Sequence, residues 1–301
     1  MGRGGRIGAG HLAVPGLLGD GVRVSGLRVP SYTSVPVDGG ELTVAVWGDL
    51  SDGAPVLAVH GITASSMAWI ETATRLPGPV VAPDLRGRGG SGTLSGPYGM
   101  ASHARDCITV LDALGIDRAR VAGHSMGGFV AAVLAHRRPE RVARLVLVDG
   151  GAPLPAPPGG PETVLGPAAR RLRMRFPSRE AYRDHWRAHP AFAGWTPAAE
   201  AYVDYDLTGA DGGFRSRASE EAMAADFVDL HSGAAPREAY EALPPGTPFL
   251  RAERGLLDET PPLYPDPSAL AKLDVTTVAG TNHYSILFAD AGAKAVAAAL
   301  S

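Results

Sequence analysis

A serine flanked by glycines is the residue in this sequence with the clearest capacity for chemistry. Ser125 lies in GHSMGG (residues 123–128), between the apolar run ARVA and the helix-like segment FVAAVLAHRRPERV. The spacing Gly123-x-Ser125-x-Gly127 is typical of a sharp strand-to-helix turn, where larger side chains would collide. Ser125 is therefore a candidate nucleophile. The backbone N–H of Met126, at the start of the following helix, would face negative charge that develops on a substrate.

The same motif has a simpler interpretation as an ordinary tight turn, because glycine and serine are common residues. The strand-like run before GHSMGG and the helical pattern after it favour the nucleophile. A dinucleotide-binding turn is excluded, since the motif lacks the G-x-G-x-x-G spacing.

A serine hydroxyl needs a neighbouring base to become nucleophilic at neutral pH. Of the nine histidines, His283 alone follows a late apolar run and precedes the final helical segment, in VTTVAGTNHYSIL. We therefore predict that His283 is the base. His124 is interpreted as a structural neighbour of the turn. His185 and His189 stand four positions apart without an evident third ligand, which favours a solvated helix face over a metal site.

The segment AVHGITASS (residues 58–66) supplies a candidate oxyanion site. An apolar run ends at His60-Gly61, and the backbone N–H of Ile62 is expected to pair with that of Met126 as a two-donor oxyanion hole. Residues predicted to line the substrate pocket are His60, Thr63, Trp186, Trp195 and Tyr205. The arginines of AARRLRMRF (168–176) are interpreted as a solvated helix face, with recognition of a substrate carboxylate as the alternative.

A fold must hold the candidate catalytic residues in place, and the order of apolar segments predicts which fold this is. Short apolar runs alternate with helical patterns, as in PVLAVHG, PVVAPDLRG and ARLVLVDGG. This alternation is typical of an α/β protein with a doubly wound, mostly parallel sheet. We predict a flexible N-terminal arm over 1–25 and a core domain formed by 26–151 and 244–301. A helical cap, or lid, is predicted as an insertion over 152–243, after the proline-rich APLPAPPGGPE.

In order and spacing, HGITASS, DLRGRGGS, GHSMGG, RLVLVDGG and the late NHYSI resemble the α/β-hydrolase superfamily from about residue 40 to 300. The resemblance implies the α/β-hydrolase fold and a Ser-acid-His triad, with the helical insertion covering the active site. It also disfavours epoxide hydrolases and haloalkane dehalogenases, which carry an aspartate where this chain has Ser125.

The acid of the triad is where this sequence departs from the resemblance. Most members place the carboxylate in a G-x-x-D loop, but the corresponding stretch is FLRAERGLLDETPPLY, with Gly255 at the expected position. Asp258 and Glu253 flank that position. The alternative is Asp149 in LVLVDGG, as in some thioesterase domains and lactone hydrolases. We favour Asp149, with Asp258 as the alternative acid.

Composition excludes several other classes of function. The chain has 301 residues, 45% of them hydrophobic and 20% charged, with a formal net charge of −3. This balance gives no electrostatic reason for a nucleic-acid partner or stable membrane association. A single cysteine excludes an internal disulfide, and neither a metal nor an organic cofactor is implied. We expect a cytoplasmic protein, and the sequence leaves homodimer formation open.

The sequence thus predicts a serine hydrolase that cleaves small, largely apolar carboxylic esters or lactones, with water as the second substrate. Ser125 would form the acyl-enzyme, His283 would act as base and then acid, and Asp149 would orient it. A thioesterase or a hydrolase of C–C bonds in diketones could use the same scaffold. A catalytically idle ligand receptor is the alternative from a different class.

Overall fold

The computed structural model describes residues 26–154, 161–210 and 213–301. The predicted N-terminal arm, 1–25, lies outside the described residues, and so does most of the proline-rich linker.

Within these ranges, eight strands form one sheet in the order β1-β2-β4-β3-β5-β6-β9-β10, and β7 pairs with β8 as a separate ribbon. The strands are β1 (Ser31–Val37), β2 (Gly40–Trp47), β3 (Val56–Val59), β4 (Val80–Pro83), β5 (Ala119–His124), β6 (Val142–Val148), β7 (Leu207–Thr208), β8 (Arg215–Ser216), β9 (Thr247–Ala252) and β10 (Leu273–Val278). Strand β2 runs antiparallel to both of its neighbours, β1 and β4, and the strands from β4 to β10 in the sheet are parallel to one another. The predicted mostly parallel sheet is therefore confirmed.

Helices cover both faces of this sheet, which makes it doubly wound. The helices are α1 (Ile70–Arg75), α2 (Met100–Ala113), α3 (Met126–Arg137), α4 (Pro161–Arg173), α5 (Arg179–Arg187), α6 (Pro197–Asp206), α7 (Glu220–Ser232), α8 (Ala234–Ala242), α9 (Ser285–Phe288) and α10 (Asp290–Leu300). None of them, in the described ranges, has the length and apolar composition needed to cross a bilayer.

The central strands are short and buried on both faces, as their apolar sequences require. In β3, Leu57 packs with α2 and α3 on one face, whereas its neighbour Ala58 packs with α1 and α10 on the other. Each fully buried leucine or valine contributes roughly 1.5–3 kcal/mol. This double burial explains why the strands appear in the sequence as continuous apolar runs instead of alternating patterns.

Two local elements depart from the regular alternation of strands and helices. The segment SSMAWIETATRL forms a short 3₁₀ helix at Ser66–Trp69 and then α1. Strand β1 has no counterpart among the sequence predictions, because only Val35 of this edge strand is buried and its apolar pattern is weak.

Helices α4 to α8 lie between β6 and β9 in the chain. The aromatic residues of α5 and α6, among them Tyr182, Trp186 and Tyr202, join the apolar cluster on one side of the sheet. Ala239 of α8 instead packs with the cluster that contains α3. The cap boundaries at 152 and 243 stay a prediction.

Candidate active site

Ser125 occupies a strained turn between β5 and α3. Its φ of 54° and ψ of −124° are unusual for a residue with a side chain. A Cβ on Gly123 would lie 2.1 Å from the carbonyl oxygen of Gly127, and a Cβ on Gly127 would lie 2.1 Å from that of Val59. Only glycine fits at either position. The spacing seen in the sequence thus has a direct steric cause.

The side chains of His283 and Asp149 are in contact although the two residues are far apart in the chain. His283 lies in the loop between β10 and α9, and its Nδ1 is 2.7 Å from Oδ2 of the buried Asp149. The other carboxylate oxygen accepts a hydrogen bond from the backbone N–H of Ala252 at 3.1 Å. An ionised carboxylate only accepts hydrogen bonds, so Nδ1 of His283 carries the proton and its Nε2 is available as a base.

Strand order explains why Asp149 reaches the histidine. Asp149 follows β6 directly, with a φ of 44°, and β6 lies between β5 and β9 in the sheet. The backbone N–H of His283 also approaches the carbonyl oxygen of Gly255 at 3.3 Å. The loop after β9 therefore lies beside the histidine but presents a backbone oxygen to it, while the carboxylate comes from the neighbouring strand.

Asp258 and Glu253 have other partners. Asp258 accepts hydrogen bonds from Arg254 at 2.6 Å and from Asn282 at 2.9 Å, and these bonds lower the pKa of its carboxyl. It borders an open cavity of about 200 Å³, which Ser125 and His283 do not line. Glu253 accepts a hydrogen bond from the backbone of Gly280 at 2.8 Å.

The candidate oxyanion loop lies against the serine. A Cβ on Gly61 would approach Cβ of Ser125 to 3.2 Å and its Oγ to 3.6 Å, so the loop backbone lies directly beside the serine side chain. The next residue, Ile62, accepts a hydrogen bond through its carbonyl oxygen from Nε of buried Arg88 at 2.9 Å. Met126 is the first residue of α3. Both backbone N–H groups predicted for the oxyanion hole are thus carried by segments that flank Ser125.

Comparison with known proteins agrees with this architecture. A family model described as the alpha/beta hydrolase fold matches residues 54–196. The solved structure of E-2-(acetamidomethylene)succinate hydrolase aligns over 88% of this chain and 97% of that one, with a TM-score of 0.71 and 23% identity. The chain has the α/β-hydrolase fold, and its residues 54–196 match the model of that family.

Curated relatives match this chain over shorter segments. A putative non-heme haloperoxidase of Mycobacterium phage D29 is 39% identical over 123 residues, which are 40% of this chain and 43% of that protein. The lipase LipV of Mycobacterium tuberculosis is 41% identical over 100 residues, 33% of this chain and 38% of the lipase. The chain thus spans less than half the length of these relatives.

Two residues that we predicted to line the substrate pocket are fully buried and hydrogen-bonded within the protein. His60 is fully buried; its Nε2 accepts the backbone N–H of Leu85 at 3.0 Å, and its Nδ1 bonds the carbonyl oxygen of Gly61. Tyr205 is also fully buried and donates to Asp84 at 2.5 Å. Contact of either side chain with a substrate stays a prediction, because position in a motif does not show whether a side chain points into the core.

The other residues predicted to line the substrate pocket differ in exposure. Thr63 and Trp195 are half-buried, and Nε1 of Trp195 donates to Glu200 at 3.1 Å. Trp186 is almost completely buried within the aromatic cluster of α5 and α6. Their contact with a substrate stays a prediction.

The sequence missed one conspicuous contact of this site. His124, interpreted only as a neighbour of the turn, lies 2.8 Å through its Nε2 from the carbonyl oxygen of His283. The position of His124 directly before Ser125 indicated that the ring lies near the site. Adjacency in the chain does not show which distant residue the ring contacts.

Proposed function

We propose that this protein is a serine hydrolase that cleaves carboxylic esters or lactones through an acyl-enzyme. The observation that supports this most is the 2.7 Å contact between Nδ1 of His283 and Asp149. The strained Ser125 lies beside this pair, since its backbone N–H donates to the carbonyl oxygen of Val148, the residue before Asp149, at 3.0 Å. A buried carboxylate, an oriented imidazole and a serine on a sharp turn are the parts that acyl transfer needs.

In the proposed mechanism, Oγ of Ser125 attacks the substrate carbonyl carbon while its proton moves to Nε2 of His283. Asp149 holds the ring and stabilises the imidazolium that forms. The backbone N–H groups of Ile62 and Met126 would hold the oxyanion, each contributing about 3 kcal/mol in the transition state. The imidazolium then protonates the leaving-group oxygen as its bond to the acyl carbon breaks, which releases the alcohol. Water, activated by the same histidine, hydrolyses the acyl-enzyme.

An ester or lactone as substrate is supported by the apolar surroundings of the site. Ile62 packs into a small apolar cluster of Leu172, Ala218 and Met223, contributed by α4 and by the segment leading into and through α7. An apolar wall beside the oxyanion loop would accommodate an acyl or alcohol chain. The name of the lipase relative is in keeping with an ester substrate.

Labelling with a fluorophosphonate tests the proposed nucleophile. We expect one adduct on Ser125 in the wild-type protein and none in Ser125→Ala. Circular dichroism should show that both proteins are folded. An unlabelled, folded wild-type protein would instead favour the catalytically idle receptor.

Activity profiling then identifies the bond that is cleaved. We expect turnover of p-nitrophenyl esters of graded chain length or of lactones. Faster turnover of matched thioesters, or of diketones, would replace the ester assignment with a thioesterase or a C–C bond hydrolase.

A further inference from the structure

Arg171 differs from the other arginines of its helix. In α4 and just after it, Arg170, Arg173 and Arg175 are exposed, as predicted for a solvated face. The side chain of Arg171 is only 11% exposed, whereas that of Arg173 is 70% exposed. The guanidinium carbon of Arg171 lies 4.8 Å from the centre of the Trp186 ring. The solvated-face interpretation therefore does not hold for Arg171.

The guanidinium of Arg171 has an acidic neighbour, but one of its hydrogen-bond donors has no acceptor. Its Nη1 is buried and has no hydrogen-bond partner among the described residues. The acidic side chain beside it is Asp206, whose Oδ2 is 3.7 Å from Nη1, which is too long for a hydrogen bond. Asp206 already accepts hydrogen bonds from Tyr182 and from Ser216. A buried cation that leaves a donor unused is costly unless a ligand uses it.

The position of Arg171 relates it to the candidate active site. On the same helix, Leu172 belongs to the apolar cluster into which Ile62 packs. The Trp186 ring, under the guanidinium, contacts that of Tyr284 at 6.4 Å between centres, and Tyr284 contacts the ring of His283 at 5.6 Å. Helix α4 thus reaches from the oxyanion loop to the aromatic residues beside the histidine.

The charged and titratable neighbours of Arg171 leave it positive. Burial, followed by the charge of Arg171, lowers the pKa of His185 and of His189, so both rings are neutral near pH 7. Burial raises the pKa of Asp206. An anion that approached this part of the site would meet the unused Nη1 donor of a planar guanidinium, a group whose geometry matches that of a carboxylate.

We propose that Arg171 determines specificity by binding a carboxylate of the substrate, so that the preferred ester carries a free carboxylate away from its scissile carbonyl. This inference rests on the proposed function and adds a substrate class to it. The competing interpretation is that Arg171 only balances Asp206 within the fold, in which case its removal would affect all substrates alike.

Matched esters distinguish the two interpretations. We expect the wild-type protein to hydrolyse at least one of mono-p-nitrophenyl succinate, glutarate and adipate with higher kcat/KM than the uncharged p-nitrophenyl ester of the same chain length. Arg171→Met should lower kcat/KM about 10- to 100-fold on the anionic ester, through KM, because a charge-assisted hydrogen-bonded pair is lost. Its kcat/KM on the uncharged ester should stay within about threefold.

Arg170→Met, which removes an exposed arginine of the same helix, is the matched control and should change neither value. Arg171→Lys keeps the charge without the planar fork, and we expect an intermediate KM. An equal loss on both esters, or no preference for any anionic ester, would overturn the proposal.

Binding provides a readout that does not depend on turnover. In Ser125→Ala, calorimetry should detect binding of the preferred monoester, and Ser125→Ala/Arg171→Met should bind it at least about tenfold more weakly. If the protein hydrolyses no ester but Ser125→Ala still shows this difference, the proposed function fails and the carboxylate site stands. Equal binding by both variants would reject Arg171 as the carboxylate ligand.

Discussion

The imidazole of His124 donates a hydrogen bond from Nε2 to the backbone carbonyl oxygen of His283 across 2.8 Å, although 159 positions separate the two residues. Burial, and then the nearby His283, lowers the pKa of His124 well below its ordinary value, so the ring stays neutral with one proton to donate. The residue that precedes the candidate nucleophile thus holds the backbone of the candidate base.

Replacing His124 by alanine should therefore affect the position of the base. We expect kcat to fall about five- to tenfold with KM nearly unchanged, since one buried hydrogen bond contributes about 1 kcal/mol. Steady-state kinetics and the rate of phosphonate labelling measure the effect. His136→Ala, at an exposed position of α3, is the control. A changed KM with unchanged kcat would contradict this role.

The two candidate acids can be separated by isosteric substitution. Asp149→Asn should lower kcat by about 10³- to 10⁴-fold, because an amide no longer holds the imidazolium and does not select the tautomer. Asp258→Asn should stay within about threefold, since Asp258 bonds Arg254 and Asn282. Circular dichroism checks that both variants fold. If Asp258→Asn alone abolished turnover, the assignment of Asp149 would be wrong.

Gly127 should be intolerant of even one methyl group. A Cβ there would lie 2.1 Å from the carbonyl oxygen of Val59, and this oxygen belongs to the backbone of a central strand. We expect Gly127→Ala to lower the free energy of unfolding by about 3 kcal/mol or more, measured by urea denaturation. Gly194→Ala, where a Cβ meets nothing within 4 Å, should be nearly neutral. Similar stabilities for the two variants would contradict the steric explanation.

Buried His60 should make the fold sensitive to acid. Burial lowers its pKa from 6.5 to about 3, so below pH 6.5 the unfolded chain binds a proton that the native protein does not. The contribution of neutral His60 to the free energy of unfolding is fully present above pH 6.5 and decreases as the pH falls towards 3. At pH 5 this contribution is lower by about 2 kcal/mol.

Urea denaturation at several pH values measures this dependence. We expect the free energy of unfolding to fall less between pH 7 and pH 5 in His60→Gln than in the wild-type protein, whatever the stability of the variant at pH 7. His136→Gln, at an exposed position, should follow the wild-type curve. Parallel curves for His60→Gln and the wild-type protein would contradict the lowered pKa of His60.

The sequence by itself determined the turn at Ser125 and the order of the main strands and helices. Both are local in origin. The clash at Gly123 and Gly127 depends on a few neighbouring residues, and double burial produces the continuous apolar runs of the central strands. The late position of His283, after the last strand, also follows from chain order.

Only the tertiary structure decided which side chains meet. The contact between His283 and Asp149 depends on β6 lying beside β9, a relation between segments about 100 positions apart. The inward orientation of Arg171 likewise depends on how α4 packs over other helices, and four arginines in one segment look alike in the sequence. Spacing along the chain encodes local sterics, but the partners of buried polar groups are set by long-range packing, which is why the acid and Arg171 could not be assigned without the fold.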